Sequence, residues 1–130
     1  MTTYLAVDLG AKRSGLAWCS QAGWVEPLPT VDRGALDHAI ARYIEELEVD
    51  ALVFGLPLRR GKLGEAAKKC RRMAYAIGEA VDRPVYFVDE AESTDEAKQR
   101  FPSLDKDAAA AALILFRFLA DGPWERSRSR

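Results

Sequence analysis

Two short runs of uninterrupted apolar residues, Ala51-Leu52-Val53-Phe54 and Val85-Tyr86-Phe87-Val88, constrain this chain more than anything else in it. A strand that shows no polar alternation is covered on both faces, which is the habit of strands in parallel sheets flanked by helices. Helical patterns separate and precede these runs. From Ala35 apolar residues recur as Leu36, Ile40, Tyr43, Ile44 and Leu47, with Asp37, Arg42, Glu45, Glu46 and Glu48 on the opposite side. Residues 65–81 are rich in helix formers and turn Ala67, Met73, Ala74 and Ile77 to one side.

Upstream the chain reads differently. Thr3 to Val7 is an apolar run ending in Asp8-Leu9-Gly10, and Gly15 to Cys19 is a second run after a tight polar loop. A third piece, residues 24–31, carries Pro27 and Pro29, which cannot donate to a ladder, so it is expected as a short strand at a sheet edge. Gly55-Leu56-Pro57 is expected to stop the Ala51 strand, and a short polar helix is expected from about Thr94 to Arg100. Ala108 to Leu119 is apolar except for Arg117, so that helix is expected to be enclosed on most sides. The expected fold is α/β: one mixed five-stranded sheet, three antiparallel strands and then two parallel ones added through right-handed crossovers, flanked by helices. A domain over residues 1–122 and a frayed basic tail over 123–130 complete the organisation.

At 130 residues and 48% hydrophobic, the chain can bury a core without disulfides. Cys19 and Cys70 have no CxxC partner and are expected as reduced, packed thiols. No signal-peptide pattern and no apolar segment near the roughly 20 residues that span a bilayer is present, so a soluble cytoplasmic protein is expected. The net charge of -1 excludes a uniformly basic nucleic-acid coat but hides local runs: Lys12-Arg13, Arg59-Arg60 with Lys62, Lys68-Lys69 with Arg71-Arg72, and Arg126, Arg128 and Arg130.

In an open α/β sheet, sites form at the carboxyl ends of strands. Asp8 ends the first strand and Glu90 the last, about two strand spacings apart if the Leu52 strand lies between them, with Gly55 leaving room. Asp89 stands beside Glu90, and the sequence leaves open whether it shares that position's role. The third candidate is Asp107, on one helical stripe with Ala111, Ile114 and Phe118, while Asp105 falls about half a turn away and suits a helix cap. Carboxylates without a histidine or thiolate cluster are hard oxygen donors suited to Mg²⁺ or Mn²⁺. The single histidine, His38, falls on the first helix.

Taken in order, Asp8-Leu9-Gly10 with Lys12-Arg13 and Gly15, Gly55-Leu56-Pro57, Asp89-Glu90, and Asp107 with Ala110-Ala111 and Ile114-Leu115 resemble the YqgF/RuvX family of Holliday junction resolvases and pre-16S rRNA nucleases. The resemblance runs from about Tyr4 to Leu119. It implies a ribonuclease-H-like fold, a metal-dependent endonuclease, and an acidic triad carried over to Asp8, Glu90 and Asp107. Lys12 and Arg13 match the family's basic pair; Arg59, Arg60, Lys62, Lys69 and Arg72 are further candidates for phosphate contact. The implied partner is branched DNA or precursor rRNA, with a homodimer expected for symmetric cutting of a junction. Two departures matter: the loop after Pro57 reads Leu58-Arg59-Arg60-Gly61-Lys62 instead of a more acidic, glycine-containing one, and Ala91-Glu92 follows Glu90 where the family usually has an arginine and hydroxyl residues. A nucleic-acid-binding adaptor that keeps the fold but not turnover is the alternative the second departure motivates.

Overall fold

The computed structural model describes residues 2–20, 23–90 and 93–124; Ala91, Glu92 and the basic residues Arg126, Arg128 and Arg130 lie outside the described residues. The chain runs β1 (Tyr4–Asp8), β2 (Arg13–Cys19), β3 (Val25–Asp32), a 3₁₀ turn, α1 (Leu36–Leu47), β4 (Ala51–Leu56), α2 (Glu65–Val81), β5 (Val85–Asp89), α3 (Ser93–Arg100) and α4 (Lys106–Asp121). The five strands form one sheet in the order β3-β2-β1-β4-β5. β1, β2 and β3 pair antiparallel, whereas β4 joins β1, and β5 joins β4, in parallel. This is the mixed sheet that the two patterns, tight loops and then helical crossovers, require.

The pleat sorts side chains onto two unlike faces. Leu5, Val7, Leu16, Leu52, Phe54, Leu56 and Phe87 pack against Ile40, Tyr43 and Ile44 of α1 and Ala67, Ala74 and Ile77 of α2. The other face carries Ala6, Ala17, Cys19, Val53 and Val88 under Ala111, Ala112, Ile114, Leu115 and Phe118 of α4. α3 rests on the outer side of α4 through Ala97, Ala109 and Leu113.

Four expectations need correction. Gly55 is expected to stop its strand but lies inside it, paired with Val88, just as Gly15 lies inside β2, paired with Asp8. Their lack of a side chain serves close approach rather than termination. A Cβ at Gly15 would stand 1.9 Å from the Asp107 carbonyl oxygen, and one at Gly55 would stand 2.3 Å from Glu90 Oε1 and 2.7 Å from Ile114 Cδ1. Second, β3 is an eight-residue strand rather than a short one. It keeps its edge position, and three residue steps from Leu28 to Val31 oppose two from Leu16 to Ser14, so Pro29 falls in a bulge where a missing donor costs nothing. Third, α4 is not enclosed on most sides at its end, since Phe116 and Leu119 are exposed at 39% and 43%. Phe116 is instead covered in part by Arg100 and the Phe101 ring. Fourth, Trp124 is not the start of a fray: its N–H donates to the Phe87 carbonyl at 2.7 Å on the free edge of β5.

No helix among the described residues is long and apolar enough to cross a membrane. Both cysteines are free, Cys19 buried and Cys70 partly so.

Candidate active site

The two parallel steps from β1 to β4 to β5 align three strand ends. Val7 pairs with Phe54 and Leu56 with Asp89, so Asp8 and Glu90 emerge at the same end of the sheet with Gly55 between them. Alternation then separates the two acids of the Asp89-Glu90 pair. Val88 faces α4, so Glu90 returns to that face and Asp89, paired with the buried Leu56, turns to the other. The Glu90 N–H donates to the Leu56 carbonyl at 3.0 Å and continues the ladder one residue beyond the strand.

With no side chain at Gly55, the Glu90 carboxyl reaches across β4 and meets Asp8 in a hydrogen bond. Glu90 donates and the Asp8 carboxylate accepts, so the two groups hold one proton. Burial pushes Glu90 up to about 8, and the charge of Asp8, the hydrogen bond to it and the charge of Asp89 add to that, against Arg117. Burial also raises Asp8; the hydrogen bond from Glu90 opposes this, Asp107 reinforces it and Lys106 opposes it. Two carboxyls pressed together in a desolvated crevice cannot both ionise without a counter-charge.

Asp107 reaches the site differently. Gly15 lets the first turn of α4 lie directly on β2, above the residue paired with Asp8. Asp105 caps this turn, accepting from the Ala108 N–H at 2.8 Å, and Thr30 Oγ1 donates to it at 3.2 Å. The cap being filled by Asp105, Asp107 is left to the crevice. Its side chain is 16% exposed and pairs with Arg13, Nε to Oδ2 3.4 Å. Among the described residues no three acidic, histidine or cysteine side chains converge closely enough to form a ready-made metal site. Asp8 and Glu90 are thus brought together, and Asp107 stands within electrostatic reach of Asp8 but is held by Arg13.

The candidate cations fall in three places. Lys12 and Arg13 line a recess of about 660 Å³ with Gly10, Ala11, Asp32 and Asp107. Lys106 lines it too, a lone cation between Asp105 and Asp107 that no basic run marks in the sequence. Arg59 and Lys62 exchange two backbone hydrogen bonds, 3.0 and 2.9 Å, across a tight turn in which Arg60 and Gly61 both have positive φ. This turn follows β4 and leaves Arg59, Arg60 and Lys62 exposed. Lys69 and Arg72 are exposed on α2, whose Cys70 is raised by burial first and then by the charges of Glu90 and Asp8. Arg117 was also missed: an isolated cation in an apolar helix carries no motif. Its Nη1 donates to the Asp89 carbonyl and its Nη2 to Glu96 Oε1, both at 2.7 Å.

Residues 2–121 match the family model of RuvX, described as Holliday junction resolvase. The chain belongs to the RuvX family. A RuvX-family relative from Synechococcus sp. (strain CC9902), named "Putative pre-16S rRNA nuclease", is 36% identical over 129 residues, covering 92% of this chain and 79% of its own length. One of the same name from Acaryochloris marina (strain MBIC 11017) is 38% identical over 134 residues, covering 92% and 93%. Thermus thermophilus RuvC shares the fold at a TM-score of 0.58 and 15% identity, over 94% of this chain and 98% of that one. A second structure of T. thermophilus RuvC, in complex with Holliday junction substrate, matches at a TM-score of 0.57 and 13% identity, over 95% and 98%. The ribonuclease-H-like sheet expected from the sequence is therefore the one found, and RuvX membership places the chain in a family of nucleases.

Proposed function

We propose that this RuvX-family chain is a divalent-metal-dependent endonuclease of structured nucleic acid, using Asp8, Glu90 and Asp107. The carrying observation is the buried Asp8–Glu90 pair at the carboxyl ends of β1 and β5, brought together across the gap at Gly55. The donor set fits Mg²⁺ or Mn²⁺: it is all oxygen, and a dication would supply the counter-charge that lets two buried carboxylates ionise together. Asp8 and Glu90 would hold the metal, and Asp107 would join them once released from Arg13. When bound, such ions supply a water activated near neutral pH and stabilise charge on the attacking and leaving oxygens of the phosphodiester.

The remaining work falls to the chain's own groups. Glu90 would hold the metal as the ionised carboxylate. Lys12, Arg13 and Lys106 converge on the recess beside Asp107 and hold the phosphate, while the exposed Arg59-Arg60-Gly61-Lys62 turn and Lys69 and Arg72 track the backbone on the α2 side. No protein nucleophile is required. Two substrates are in play: the names of the cyanobacterial relatives support precursor 16S rRNA, and the family description supports four-way DNA junctions, where a homodimer would cut two strands symmetrically.

The test is a cleavage panel of four-way junction DNA, duplex DNA, single-stranded RNA and a pre-16S leader, with Mg²⁺ or Mn²⁺, comparing the wild type with Asp8→Asn. Cleavage of one structured substrate by the wild type alone is the expected result. Full activity in Asp8→Asn overturns the assignment, and tight binding without cleavage under every metal identifies the adaptor instead.

A further inference from the structure

Arg117 is the one charged side chain in the stretch Ala108–Leu119 of α4, and that side chain is 26% exposed. It makes two contacts of different kinds. Nη1 donates at 2.7 Å to the carbonyl of Asp89, the residue from which Glu90 departs, and Nη2 donates at 2.7 Å to Glu96 on α3. The parallel ladder with β4 ends at the Glu90 N–H, so the Asp89 carbonyl marks the point where β5 leaves the sheet. Ile114, one helical turn before Arg117, sits against the Gly55 gap that the Glu90 carboxyl crosses. One helix thus presents Asp107 at its start, packs the Glu90 side chain at its middle and fastens the Glu90 backbone near its end.

We infer that Arg117 is the positioning residue for Glu90: by holding the Asp89 carbonyl and the Glu96 carboxylate together, it fixes the direction in which Glu90 leaves β5 toward Asp8. A planar guanidinium serves two acceptors at a set angle, which an ammonium does not reproduce. The ion pair with Glu96 is partly exposed and contributes little to stability, so a purely structural role predicts a shift in thermal midpoint with Mn²⁺ affinity and kcat of the folded protein unchanged. This inference rests on the proposed role of Glu90 as a metal-holding carboxylate.

The test compares Arg117→Met, Arg117→Lys and Glu96→Ala with the wild type. The measurements are thermal midpoint, Mn²⁺ affinity by electron paramagnetic resonance without nucleic acid, and kcat and KM on junction DNA and pre-16S leader RNA. Supporting residues around a metal site typically carry ~10–100-fold in affinity or rate. Arg117→Met is expected to lose about tenfold in Mn²⁺ affinity and in kcat with KM changed less than about twofold, Arg117→Lys to recover part of this, and Glu96→Ala to lose less. Removing a positive charge by itself favours a nearby cation, so weaker Mn²⁺ binding in Arg117→Met runs against simple electrostatics and reports lost positioning. Wild-type Mn²⁺ affinity and kcat in Arg117→Met, or a loss confined to KM, overturns the inference. Should Arg117→Met fail to fold, Glu96→Ala, which leaves α4 untouched, decides by the same two readouts. Asp8→Asn separates the two readings: if it still binds Mn²⁺ and cleaves, the site assignment falls, whereas an inert Asp8→Asn beside an unaffected Arg117→Met removes only the role of Arg117.

Discussion

The two faces of the sheet are built on opposite principles. Under α1 and α2 the strands offer Leu5, Leu16, Leu52, Phe54 and Phe87, large side chains that fill the layer completely. Under α4 they offer Ala6, Gly15, Ala17 and Gly55, and α4 answers with Ala108, Ala111 and Ala112. The first face buries more apolar area per residue and carries more of the stability. The second brings backbone and carboxylates close together, and spends stability by holding Asp8 against Glu90. In this molecule the site lies where side chains are missing.

That contrast breaks most visibly by emptying the large face. Phe54→Ala removes a fully buried ring and should cost about 3–5 kcal/mol in urea denaturation, while cleavage per folded molecule at low temperature stays near wild type. A large loss of specific activity in the folded fraction would show that the two faces are coupled.

Filling the small face comes next. Gly55→Ala places its methyl against the ends of two flexible side chains, Glu90 and Ile114, so it should cost only about 1–3 kcal/mol but eliminate detectable cleavage and weaken Mn²⁺ binding. Gly15→Ala meets the Asp107 carbonyl, a backbone atom, and should cost more stability than Gly55→Ala. If the two variants are equally stable, α4 is more mobile on β2 than the packing indicates.

The carboxyl pair should behave in the reverse sense. Glu90 titrates at about 8 in the fold against 4.5 when unfolded, so the folded state binds more protons between those values. Metal-free stability is therefore greatest at low pH with respect to this group, and is lost as pH rises from about 4.5 through about 8. Glu90→Gln should remove that dependence and raise metal-free stability at pH 9 by roughly 1–3 kcal/mol while abolishing activity. Mg²⁺ or Mn²⁺ should stabilise the wild type at that pH and leave the variant unchanged. A wild type whose midpoint is flat from pH 5 to 9 would contradict the shared proton.

The smallest effect belongs to the helix start. Asp105→Ala removes the α4 cap and should cost about 1 kcal/mol, with a modest rise in KM or fall in kcat because Asp107 and Lys106 lie in the loosened turn. Activity wholly unchanged despite the stability loss would place Asp107 outside the chemistry.

Local sequence pattern determined the elements, the mixed sheet and the strand-end or helix-face places of the acidic candidates, because hydrophobic period and strand-end position are local properties. Apolar runs at 51–54 and 85–88 need no partner to be recognised, and the spacing from Asp107 to Ala111, Ile114 and Phe118 marks one face of a helix wherever that helix lies. Tertiary structure alone decided what those carboxylates do to one another. Pairing Leu56 with Asp89 turned Glu90 rather than Asp89 toward α4, and a register one residue away would have exchanged them. The gaps at Gly15 and Gly55, the hold of Arg13 on Asp107, the place of Lys106 in the recess and the reach of Arg117 to Asp89 join residues far apart in the chain. Such contacts depend on how helices sit on a sheet, and no local pattern encodes that distance.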